Sequence, residues 1–498
     1  MANSSGERIT PKVIVRRVLC SRTVFVILLL AMQLAVLLLP FRQLSTYSLL
    51  SAVMIIYIIN KRTNPEFKLT WIIPIAVLPV FGALFYLFFK VQPGLYLVKR
   101  RSRRLARQRL TGSVAPPDGL FRYLSRLGFP AYDDSKVTYY PMGDALLEQM
   151  IASLETAQQF IFVQYFIVAE GQIWDRVRDV LERKAAQGVE VRLMMDGLGI
   201  LGRLPEDICQ QMEEKGIACR IFSPIRPIPS VLQNNRLHRK ILVVDGKVAF
   251  TGGVNLADEY ANLSVTHEWK DVGVRVEGGA VASLTSMFLQ TWALYERRKN
   301  VTVEYEPYTE PHPVKGEGFV APFGDSPFDE VDVGKRVYLD IINKAESEVH
   351  IMTPYLVIDS ELLEGLKYAA ARGVDVEIMM PGKSDSKLLG LAAISYYREL
   401  IDAGVRILIY TPGMVHAKTC VADRTRAVVG TINMDYRSLF INLECGCYVR
   451  DCSAVLDVEK DFRHSRESCS VMTMEDVRGI PLYRRLLSRV MRLFAPML

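Results

Sequence analysis

The second half of the chain repeats the first, and this duplication limits the possible folds more than any other feature. The stretch AAQGVEVRLMMDG at residues 185–197 returns as AARGVDVEIMMPG at residues 370–382. Each stretch reads as the end of a helix, a glycine that stops it, and a buried strand. A short strand and an amphipathic helix precede each copy. The pattern predicts an α/β protein of two pseudo-duplicated lobes, each a mostly parallel sheet with flanking helices.

A second motif is duplicated inside the same repeats. HRKILVVDGKVAFTGGVN (residues 238–255) and HAKTCVADRTRAVVGTIN (residues 416–433) have the same spacing of histidine, lysine, aspartate, glycine and asparagine. Apolar runs on both sides of Asp245-Gly246 predict a hairpin. Because the pattern occurs twice, we interpret it as one composite site with a half-site from each lobe. Its polar members are His238, Lys240, Asp245, Asn255, His416, Lys418, Asp423 and Asn433.

Paired lysines and asparagines indicate what such a site binds. They supply positive charge and amide donors, which suit a phosphate diester better than a carbonyl group. We therefore expect Lys240, Lys418, Asn255 and Asn433 to hold a phosphate. The sequence contains no glycine-rich nucleotide loop and no carboxylate cluster suited to magnesium. We expect no cofactor and no metal, with the lysines taking the place of a metal ion.

Two histidines on opposite sides of a phosphorus atom can divide the work of phosphoryl transfer. One attacks and forms a phosphohistidine, the other protonates the leaving oxygen, and the motifs alone do not say which does which. Each needs a carboxylate to fix its tautomer. Glu444 is the candidate in the second half, and in the first Asp271 is preferred to Glu268 because it begins an apolar strand. Asp245 and Asp423 lie in turns, where we expect them to support the motif.

Three apolar runs near the N-terminus predict a membrane anchor. They span residues 24–39, 44–59 and 69–89, and the third contains two prolines. The first is too long for a signal peptide and lacks a cleavage site. Basic residues precede the first run and follow the third, which places both flanks in the cytoplasm. Two cytoplasmic flanks require an even number of crossings. One run is therefore re-entrant or interfacial, the third being the best candidate and the first the alternative.

The charge of the chain indicates its partner. The net charge is +7, and seven lysines and arginines cluster at residues 99–109 beside the third apolar run. We expect an anionic membrane, not a nucleic acid, to meet this cluster. The C-terminal stretch PLYRRLLSRVMRLF (residues 481–494) is amphipathic. It predicts either a helix on the membrane surface or a helix docked on the protein's own core.

Eight cysteines are scattered without the spacing of a disulfide framework, in agreement with a reducing compartment. Cys445, Cys447 and Cys452 lack a fourth ligand for zinc, and thiols in a strand-like run act as small hydrophobic residues.

These features divide the chain into seven segments. They are a cytoplasmic basic tail (residues 1–22), membrane-anchor helices (23–90), a basic juxtamembrane linker (91–136), a first lobe (137–300), a linker (301–332), a second lobe (333–460) and a C-terminal amphipathic segment (461–498). The linker between the lobes is rich in proline, glycine and acidic residues, which are typical of irregular structure.

The doubled motif H-x-K-x4-D-x6-G-[GT]-x-N resembles the signature of the phospholipase D superfamily. The phrases APFGDSP, TPYLVID, RLFAP and NPEFKLTWIIPIAVLPVFGALFYLFF are similar to bacterial cardiolipin synthases. The resemblance implies two phospholipase D-like α/β lobes behind an N-terminal helical anchor, in the bacterial cell membrane with the lobes on the cytoplasmic side. It also implies transfer of a phosphatidyl group between two phosphatidylglycerol molecules, giving cardiolipin and glycerol. The extra apolar run at residues 24–39 departs from the family's usual pair of runs.

The resemblance also assigns roles by position. His238 resembles the nucleophile and His416 the general acid and then base. Thr431 joins Lys240, Lys418, Asn255 and Asn433 as a phosphate-binding residue, and Asp271 and Glu444 orient the histidines. A hydrolytic phospholipase D, or another phosphatidyltransferase, has the same site with a different acceptor. The complete motifs speak against an inactive lipid-binding relative, and the predicted anchor speaks against a nuclease. The sequence leaves the oligomeric state open, a homo-oligomer included.

Overall fold

A computed structural model describes residues 41–90, 93–106, 108, 110, 114–225, 234–263, 267–296, 302–329 and 331–497. The chain divides into two compact units. One comprises Met1–Leu97 with Pro224–Asn234, and the other comprises Val98–Ser223 with Asn235–Leu498. The predicted basic tail and the first apolar run, residues 24–39, lie outside the described residues.

The smaller unit is helical. It contains α1 (Phe41–Asn60), α2 (Pro65–Val77) and α3 (Pro79–Lys90), and α4 (Pro93–Ala106) is shared with the larger unit. The third apolar run is split into α2 and α3 because Leu78 leaves the helical conformation and Pro79 starts a new helix. The two helices approach closely at Gly82, where a Cβ atom would lie 2.6 Å from the Ile75 Cα atom.

No helix in the described part of the chain combines the length and the hydropathy that crossing a membrane requires.

The larger unit begins with α5 (Gly119–Leu127) and continues into the first lobe. The elements of this lobe are β1 (Ser135–Tyr140), α6 (Gly143–Glu155), β2 (Phe160–Tyr165), α7 (Gln172–Ala186), β3 (Glu190–Asp196), α8 (Ile208–Glu214), β4 (Ala218–Phe222), β5 (Ile241–Val244), β6 (Val248–Gly252), β7 (Glu268–Lys270), β8 (Gly273–Gly278) and α9 (Val281–Leu294). Seven strands form one sheet in the order β1-β8-β6-β5-β2-β3-β4.

The second lobe follows the same plan. Its elements are β9 (Phe319–Asp325), α10 (Val333–Lys344), β10 (Glu348–Met352), β11 (Leu356–Val357), α11 (Ser360–Ala371), β12 (Asp375–Pro381), α12 (Lys387–Asp402), β13 (Arg406–Tyr410), β14 (Gly413–Val415), β15 (Thr419–Ala422), β16 (Arg426–Gly430), β17 (Met434–Asp435), α13 (Tyr436–Phe440), β18 (Glu444–Arg450), α14 (Ser453–Arg466), β19 (Cys469–Val471), α15 (Met474–Gly479) and α16 (Leu482–Leu493). Eight strands form its sheet, in the order β19-β13-β12-β10-β15-β16-β18-β9.

The predicted two-lobe α/β architecture is confirmed, but each sheet is mixed and not mostly parallel. Only β2, β3 and β4 run parallel in the first sheet, and β10, β12 and β13 in the second. The remaining pairs are antiparallel, and they include the hairpin that each site motif forms, β5–β6 and β15–β16. Residues 245–247 connect the paired Val244 and Val248, and the turn residues Asp245 and Gly246 have left-handed φ angles of 53° and 66°.

Helices cover both faces of the first sheet. Ile161, Val163 and Tyr165 of β2 belong to one buried apolar cluster together with Trp174 of α7. Alternate residues face the other side, where the rings of Phe162 and Phe288 of α9 stack with their centroids 4.6 Å apart. This double burial explains why β2 reads as a continuous apolar run.

One predicted boundary needs correction. Residues 301–332 were predicted to link the lobes, but Phe319–Asp325 form β9, which pairs antiparallel with β18. This strand lies at the edge of its sheet, where Pro322 removes no central hydrogen bond. The proline and glycine in APFGDSP that made the segment read as irregular are therefore compatible with an edge strand.

The cysteines also differ from the prediction. Cys209 of α8 and Cys219 of β4 form a disulfide, a pairing that their scattered spacing did not indicate. Cys420, Cys445 and Cys447 are buried free thiols, and burial raises the pKa of each. These three thiols are therefore neutral hydrophobic residues of the second sheet.

The two lobes exchange backbone contacts where the doubled motifs begin. β7 of the first lobe pairs in parallel with β14 of the second, and Leu237 forms a bridge with Leu443. The segment before each histidine is thus fixed by the opposite lobe.

Candidate active site

The two histidines are anchored by reciprocal backbone bonds. The His238 amide donates to the carbonyl of Leu443 (2.9 Å), and the His416 amide donates to the carbonyl of Lys270 (2.7 Å). Each acceptor immediately precedes a candidate carboxylate, Glu444 or Asp271. The same local geometry therefore appears twice, once in each direction across the lobe interface.

The carboxylates reach across this interface to the opposite histidine. His238 Nδ1 lies 2.8 Å from Glu444 Oε2, and His416 Nδ1 lies 2.5 Å from Asp271 Oδ2. Both carboxylates are completely buried. Glu268, the alternative considered for the first half, instead accepts a hydrogen bond from the Tyr410 hydroxyl (2.6 Å). Each half of the site therefore contributes one histidine and the carboxylate for the other half's histidine.

Glu444 is held in place by polar neighbours of its own lobe. Thr431 donates its hydroxyl hydrogen to Glu444 Oε2, and Asn442 Nδ2 donates to Oε1 (3.2 Å). Thr431 was predicted to contact the phosphate. It lies instead behind Glu444, fully buried, and its hydroxyl oxygen accepts from the Cys445 amide (3.0 Å). Its contacts are those of a support for the carboxylate.

The carboxylate of Asp271 fits into its position because residue 253 is a glycine. A Cβ atom at Gly253 would lie 2.0 Å from Asp271 Oδ1, so glycine leaves the room that this carboxylate occupies. The same oxygen accepts from the Val272 amide (2.8 Å). Gly253 occupies the position in the first motif that Thr431 occupies in the second, which explains the glycine-or-threonine variation between the two copies.

These contacts define which ring nitrogens are available. When Nδ1–H donates to a carboxylate, the lone pair of Nε2 is left for a substrate. Burial lowers the pKa of the His238 imidazole to about 4, despite the opposing charge of Glu444. Burial also lowers the pKa of His416. His238 is therefore neutral near pH 7, which is the state that a nucleophile requires.

Both lysines of the motifs are buried beside the histidines. Lys240 Nζ donates to the His238 carbonyl (2.7 Å), and Lys418 Nζ donates to the His416 carbonyl. Burial lowers the pKa of Lys240 to about 7 and that of Lys418 to about 8, and the Lys418 charge lowers the Lys240 pKa further. In this desolvated site the two ammonium groups repel each other. An anionic diester bound between them would stabilise both charges.

Lys418 Nζ also lies 2.7 Å from His416 Nδ1. Both groups are donors when Nδ1–H is bonded to Asp271, so this contact and the Asp271 bond are alternatives. The shorter distance to Asp271 (2.5 Å) and the charge of that carboxylate favour the Asp271 bond.

The asparagines of the motifs brace the loops around the site. Asn255 Oδ1 accepts from the Ile167 amide (3.0 Å), and its Nδ2 donates to the Tyr260 hydroxyl (2.7 Å). Burial raises the pKa of Asp435 to about 6, and a hydrogen bond from the Asn433 amide opposes this shift. Asn433 Oδ1 is buried and has no hydrogen-bond partner among the residues that the structure describes.

The motif aspartates lie at the far ends of their strands. Asp245 accepts hydrogen bonds from the amides of Gln158, Gln159 and Phe160 (2.8–2.9 Å). Asp423 accepts from three successive amides at residues 346–348 and from the Ser347 hydroxyl. Each carboxylate thereby ties its hairpin turn to the start of the neighbouring strand, which is a structural position away from the histidines.

Several residues near the site were not identified from the sequence. The ring of Phe166 lies edge-on to His238 (5.2 Å between centroids), and Tyr260 and Trp269 flank His416 at 5.6 Å and 5.5 Å. Asp385, which is exposed, acts electrostatically on His416 and Lys418 and accepts from the Tyr355 hydroxyl (2.8 Å). These residues lie outside the repeated motif, so no pattern in one sequence distinguishes them from ordinary aromatic and loop residues.

Another histidine, His350, is surrounded by carboxylates elsewhere in the second lobe. Glu348, His350 and Glu459 have the spacing of metal ligands. Their acidic groups are already paired with arginines, since Glu348 contacts Arg424 (2.9 Å) and both glutamates contact Arg463. This network ties α14 to β10 by charge pairs, and the arginines occupy the positions that a cation would need.

The geometry supports phosphoryl-type chemistry with two imidazoles of opposite roles. A neutral His238 that can attack and an oriented His416 that can carry a proton, flanked by two buried lysines, are matched to an anionic diester.

Comparison with known proteins identifies the family. Residues 150–292 and 338–466 match the family model described as cardiolipin synthase, PLD-like domain, and residues 49–90 match the one described as Phospholipase_D-nuclease N-terminal. The chain belongs to the cardiolipin synthase family. The resemblance drawn from the doubled motif is therefore confirmed.

Relatives in the cardiolipin synthase family cover nearly the whole chain. Cardiolipin synthase 1 of Bacillus cereus is 32% identical over 470 residues, which are 89% of this chain and 91% of that protein. The cardiolipin synthase of Alkalihalophilus pseudofirmus is 30% identical over 478 residues, covering 91% and 93%. An uncharacterized protein of Streptococcus mutans is 41% identical over 461 residues, covering 89% and 99%.

Among solved structures, the phosphatidylserine synthase of Haemophilus influenzae resembles this member of the cardiolipin synthase family in fold. The TM-score is 0.57 at 15% sequence identity, and the match covers 76% of this chain and 99% of the other. This likeness concerns the two-lobe fold alone.

Proposed function

We propose that the chain transfers a phosphatidyl group from one phosphatidylglycerol molecule to the terminal hydroxyl of another, releasing glycerol and forming cardiolipin. The observation that carries this proposal is the crossed pair of hydrogen bonds, His238 to Glu444 and His416 to Asp271, beside two buried lysines. Family relatives named cardiolipin synthase support the choice of substrate.

In the first step, Nε2 of neutral His238 attacks the phosphorus of the donor lipid. A P–N bond forms and the bond from phosphorus to the glycerol oxygen breaks. His416, in its imidazolium form, gives its Nε2 proton to the departing oxygen, so that glycerol leaves uncharged. Glu444 stabilises the positive charge that the phosphorylated ring of His238 acquires. Lys240 and Lys418 neutralise the phosphoryl oxygens.

In the second step, the now neutral His416 takes the proton of the acceptor hydroxyl. The hydroxyl oxygen of a second phosphatidylglycerol attacks phosphorus, the P–N bond breaks, and His238 returns to its neutral state. Each proton given in the first step is regained in the second. The cycle therefore needs no nucleotide and no consumed acid or base, as expected for an exchange of one alcohol for another.

Water as the second acceptor would make the enzyme a hydrolytic phospholipase D. The same histidines serve both reactions, so the acceptor and not the site distinguishes them. A catalytically inactive lipid-binding protein would have no reason to keep two buried lysines whose desolvation lowers their pKa values to about 7 and 8.

We also propose a multi-pass anchor in the bacterial cell membrane, with the lobes on the cytoplasmic side and anionic lipids as partners. The apolar runs, the basic cluster at residues 99–109 and the family match at residues 49–90 support this placement. Labelling of single cysteines placed at residues 10 and 105 from outside intact cells should miss both; labelling of either would place that flank outside.

The test of the function uses purified full-length protein in vesicles of phosphatidylglycerol, with lipid products resolved by mass. We expect cardiolipin and free glycerol in equal amounts, without added nucleotide and in the presence of a chelator. Phosphatidic acid as the sole product would identify a hydrolase. Activity that chelator abolishes and magnesium restores would contradict phosphate binding by lysines alone.

A further inference from the structure

The C-terminal helix α16 is amphipathic, but it is docked the opposite way round from a normal surface helix. Its side chains toward the protein are polar: Ser488 is buried, and Arg492 pairs with Glu399 of α12 (3.2 Å) and lies 4.3 Å from the ring centre of Tyr396. A surface helix ordinarily buries its apolar stripe and exposes its charges. The helix therefore docks on the second lobe, as one of the two predicted alternatives has it, but through its polar side.

The apolar side of α16 faces outward. At 100° per residue its large apolar side chains fall on one broad arc, and five of them are about half to two-thirds exposed. The exposed fractions are 63% for Leu482, 69% for Tyr483, 53% for Leu486, 46% for Leu487 and 52% for Val490. An apolar surface of this size that is exposed to solvent indicates an interaction site.

The charges that border the arc identify what covers it. Four arginines, Arg484, Arg485, Arg489 and Arg492, and no acidic residue lie between residues 482 and 493. Arg492 is paired with Glu399, whereas Arg484 and Arg489 are exposed beside the arc. An apolar face bordered by arginines matches an anionic bilayer, whose acyl chains meet phosphate groups at the same depth.

A second copy of the chain fits this surface less well. Pairing two copies of α16 through their apolar arcs would bring arginines toward arginines, with no acidic side chain on the helix to neutralise them. A membrane surface supplies the missing negative charge.

We propose that the outward face of α16 inserts into the headgroup and acyl boundary of an anionic membrane and holds the lobes on the lipid surface that contains their substrate. The reference to substrate rests on the proposed function, but insertion itself does not. Two arms of one experiment separate them.

The first arm is photocrosslinking with the full-length protein in vesicles of equal phosphatidylglycerol and phosphatidylcholine. Leu486 is replaced by p-benzoylphenylalanine, and the matched control carries the same residue at Lys215, which is 59% exposed on the first lobe. We expect lipid adducts at position 486 in at least about tenfold excess over position 215. Crosslinks to a second copy, crosslinks within the same chain, or equal yields at both positions would overturn the proposal. This readout needs no enzymatic activity.

The second arm measures transfer in mixed micelles as the lipid is diluted with neutral detergent. The double variant Leu486→Glu with Val490→Glu should need about tenfold more lipid per micelle for half-maximal rate, with the maximal rate unchanged. Leu456→Glu, at a leucine of α14 that is 55% exposed, is the control and should behave like the parent. An unchanged lipid dependence in the double variant would overturn the surface-binding role. Lipid adducts in a protein without transferase activity would contradict only the proposed function.

Discussion

His238 of the first lobe and Glu444 of the second are joined by a hydrogen bond of 2.8 Å from Nδ1 to Oε2. The reverse bond, from His416 of the second lobe to Asp271 of the first, completes the exchange. Neither lobe alone holds an oriented histidine, so the duplicated half-sites depend on each other. This interdependence leads to the first prediction.

Replacing either carboxylate by its amide should cost about 100-fold or more in kcat, because the amide lets the ring adopt the wrong tautomer. The two variants should differ in which step is slowed. With a p-nitrophenyl diester, whose leaving group needs no proton, Asp271→Asn should recover much of its rate of intermediate formation, whereas Glu444→Gln should not. Single-turnover release of p-nitrophenol measures this step. Equal recovery in both variants would contradict the crossed assignment.

The motif aspartates should act on stability and not on the chemical step. Asp245 holds three backbone amides in place, and Asp245→Asn loses part of that acceptor capacity in a largely buried position. We expect a loss of about 1–3 kcal/mol in the free energy of unfolding, and a similar loss for Asp423→Asn. Activity per folded molecule should stay within a few-fold of the parent. A fall in kcat of several orders of magnitude at unchanged thermal stability would show that these aspartates act in the chemical step.

Lys240 should lower the stability of the free protein, because burial lowers its pKa from the ordinary 10.5 to about 7. The folded state then binds fewer protons than the unfolded state between these pH values, so the cost is greatest at pH 7 and below and fades toward pH 10.5. Lys240→Met should therefore raise the free energy of unfolding by about 1–3 kcal/mol at pH 7, while abolishing transfer.

Lys270 provides the matched control for this prediction. It is equally buried, but its Nζ is 2.8 Å from Asp461, so Lys270→Met leaves a buried carboxylate without its partner. That variant should lose about 3–5 kcal/mol. Denaturant unfolding of both proteins in the same detergent makes the comparison, and a loss of stability in Lys240→Met would show that its charge is compensated in the free site.

The pH dependence of kcat/KM should reflect the lysines. A lysine is charged below its pKa, so the phosphate-binding charges of free enzyme are present below about pH 7 for Lys240 and pH 8 for Lys418 and are lost above. We expect kcat/KM to fall on the alkaline side across this window. Lys240→Arg should move the start of the alkaline limb from about pH 7 to about pH 8, where Lys418 loses its charge, because arginine keeps its charge. An alkaline limb that stays in place in this variant would assign it to another group.

Much of this site is readable from the chain because the motif is local and occurs twice. His238, Lys240 and the Asp245-Gly246 turn follow from spacing and strand patterning alone, and the structure gives that turn the two positive φ angles that it needs. The half-site logic, one histidine from each lobe, follows from the duplication.

The sequence did not predict that each carboxylate contacts the histidine of the opposite lobe, because this contact depends on how the lobes dock. Asp271 follows β7 and Glu444 begins β18, and the parallel pairing of β7 with β14 and the Leu237–Leu443 bridge bring each to the opposite histidine. The contact of the Thr431 hydroxyl with Glu444 could not be foreseen either, because spacing does not show which way a side chain points.

The orientation of the C-terminal helix α16 was also not predictable from the sequence. The periodicity of residues 482–493 indicates an amphipathic helix, but it does not say which face the protein keeps for itself. Ser488 and Arg492 decide this through contacts with the protein, and Glu399 lies far away in the sequence. The mixture of parallel and antiparallel pairs in each sheet was not predicted for the same reason, since the strand order is a property of the whole lobe.

The most direct test of the central claim is to trap the covalent intermediate and locate it. Phosphatidylglycerol labelled in its phosphatidyl part is mixed with the parent protein, His238→Ala and His416→Ala, the reaction is quenched in alkali, and the acid-labile label is mapped to peptides by mass spectrometry. The account predicts phosphatidyl label on His238 in the parent, label on the same residue in His416→Ala when an activated p-nitrophenyl diester replaces the natural donor, and none in His238→Ala with either substrate. Label on His416 in the His238→Ala protein would reverse the two roles, and label on neither histidine in an active enzyme would contradict the phosphohistidine mechanism.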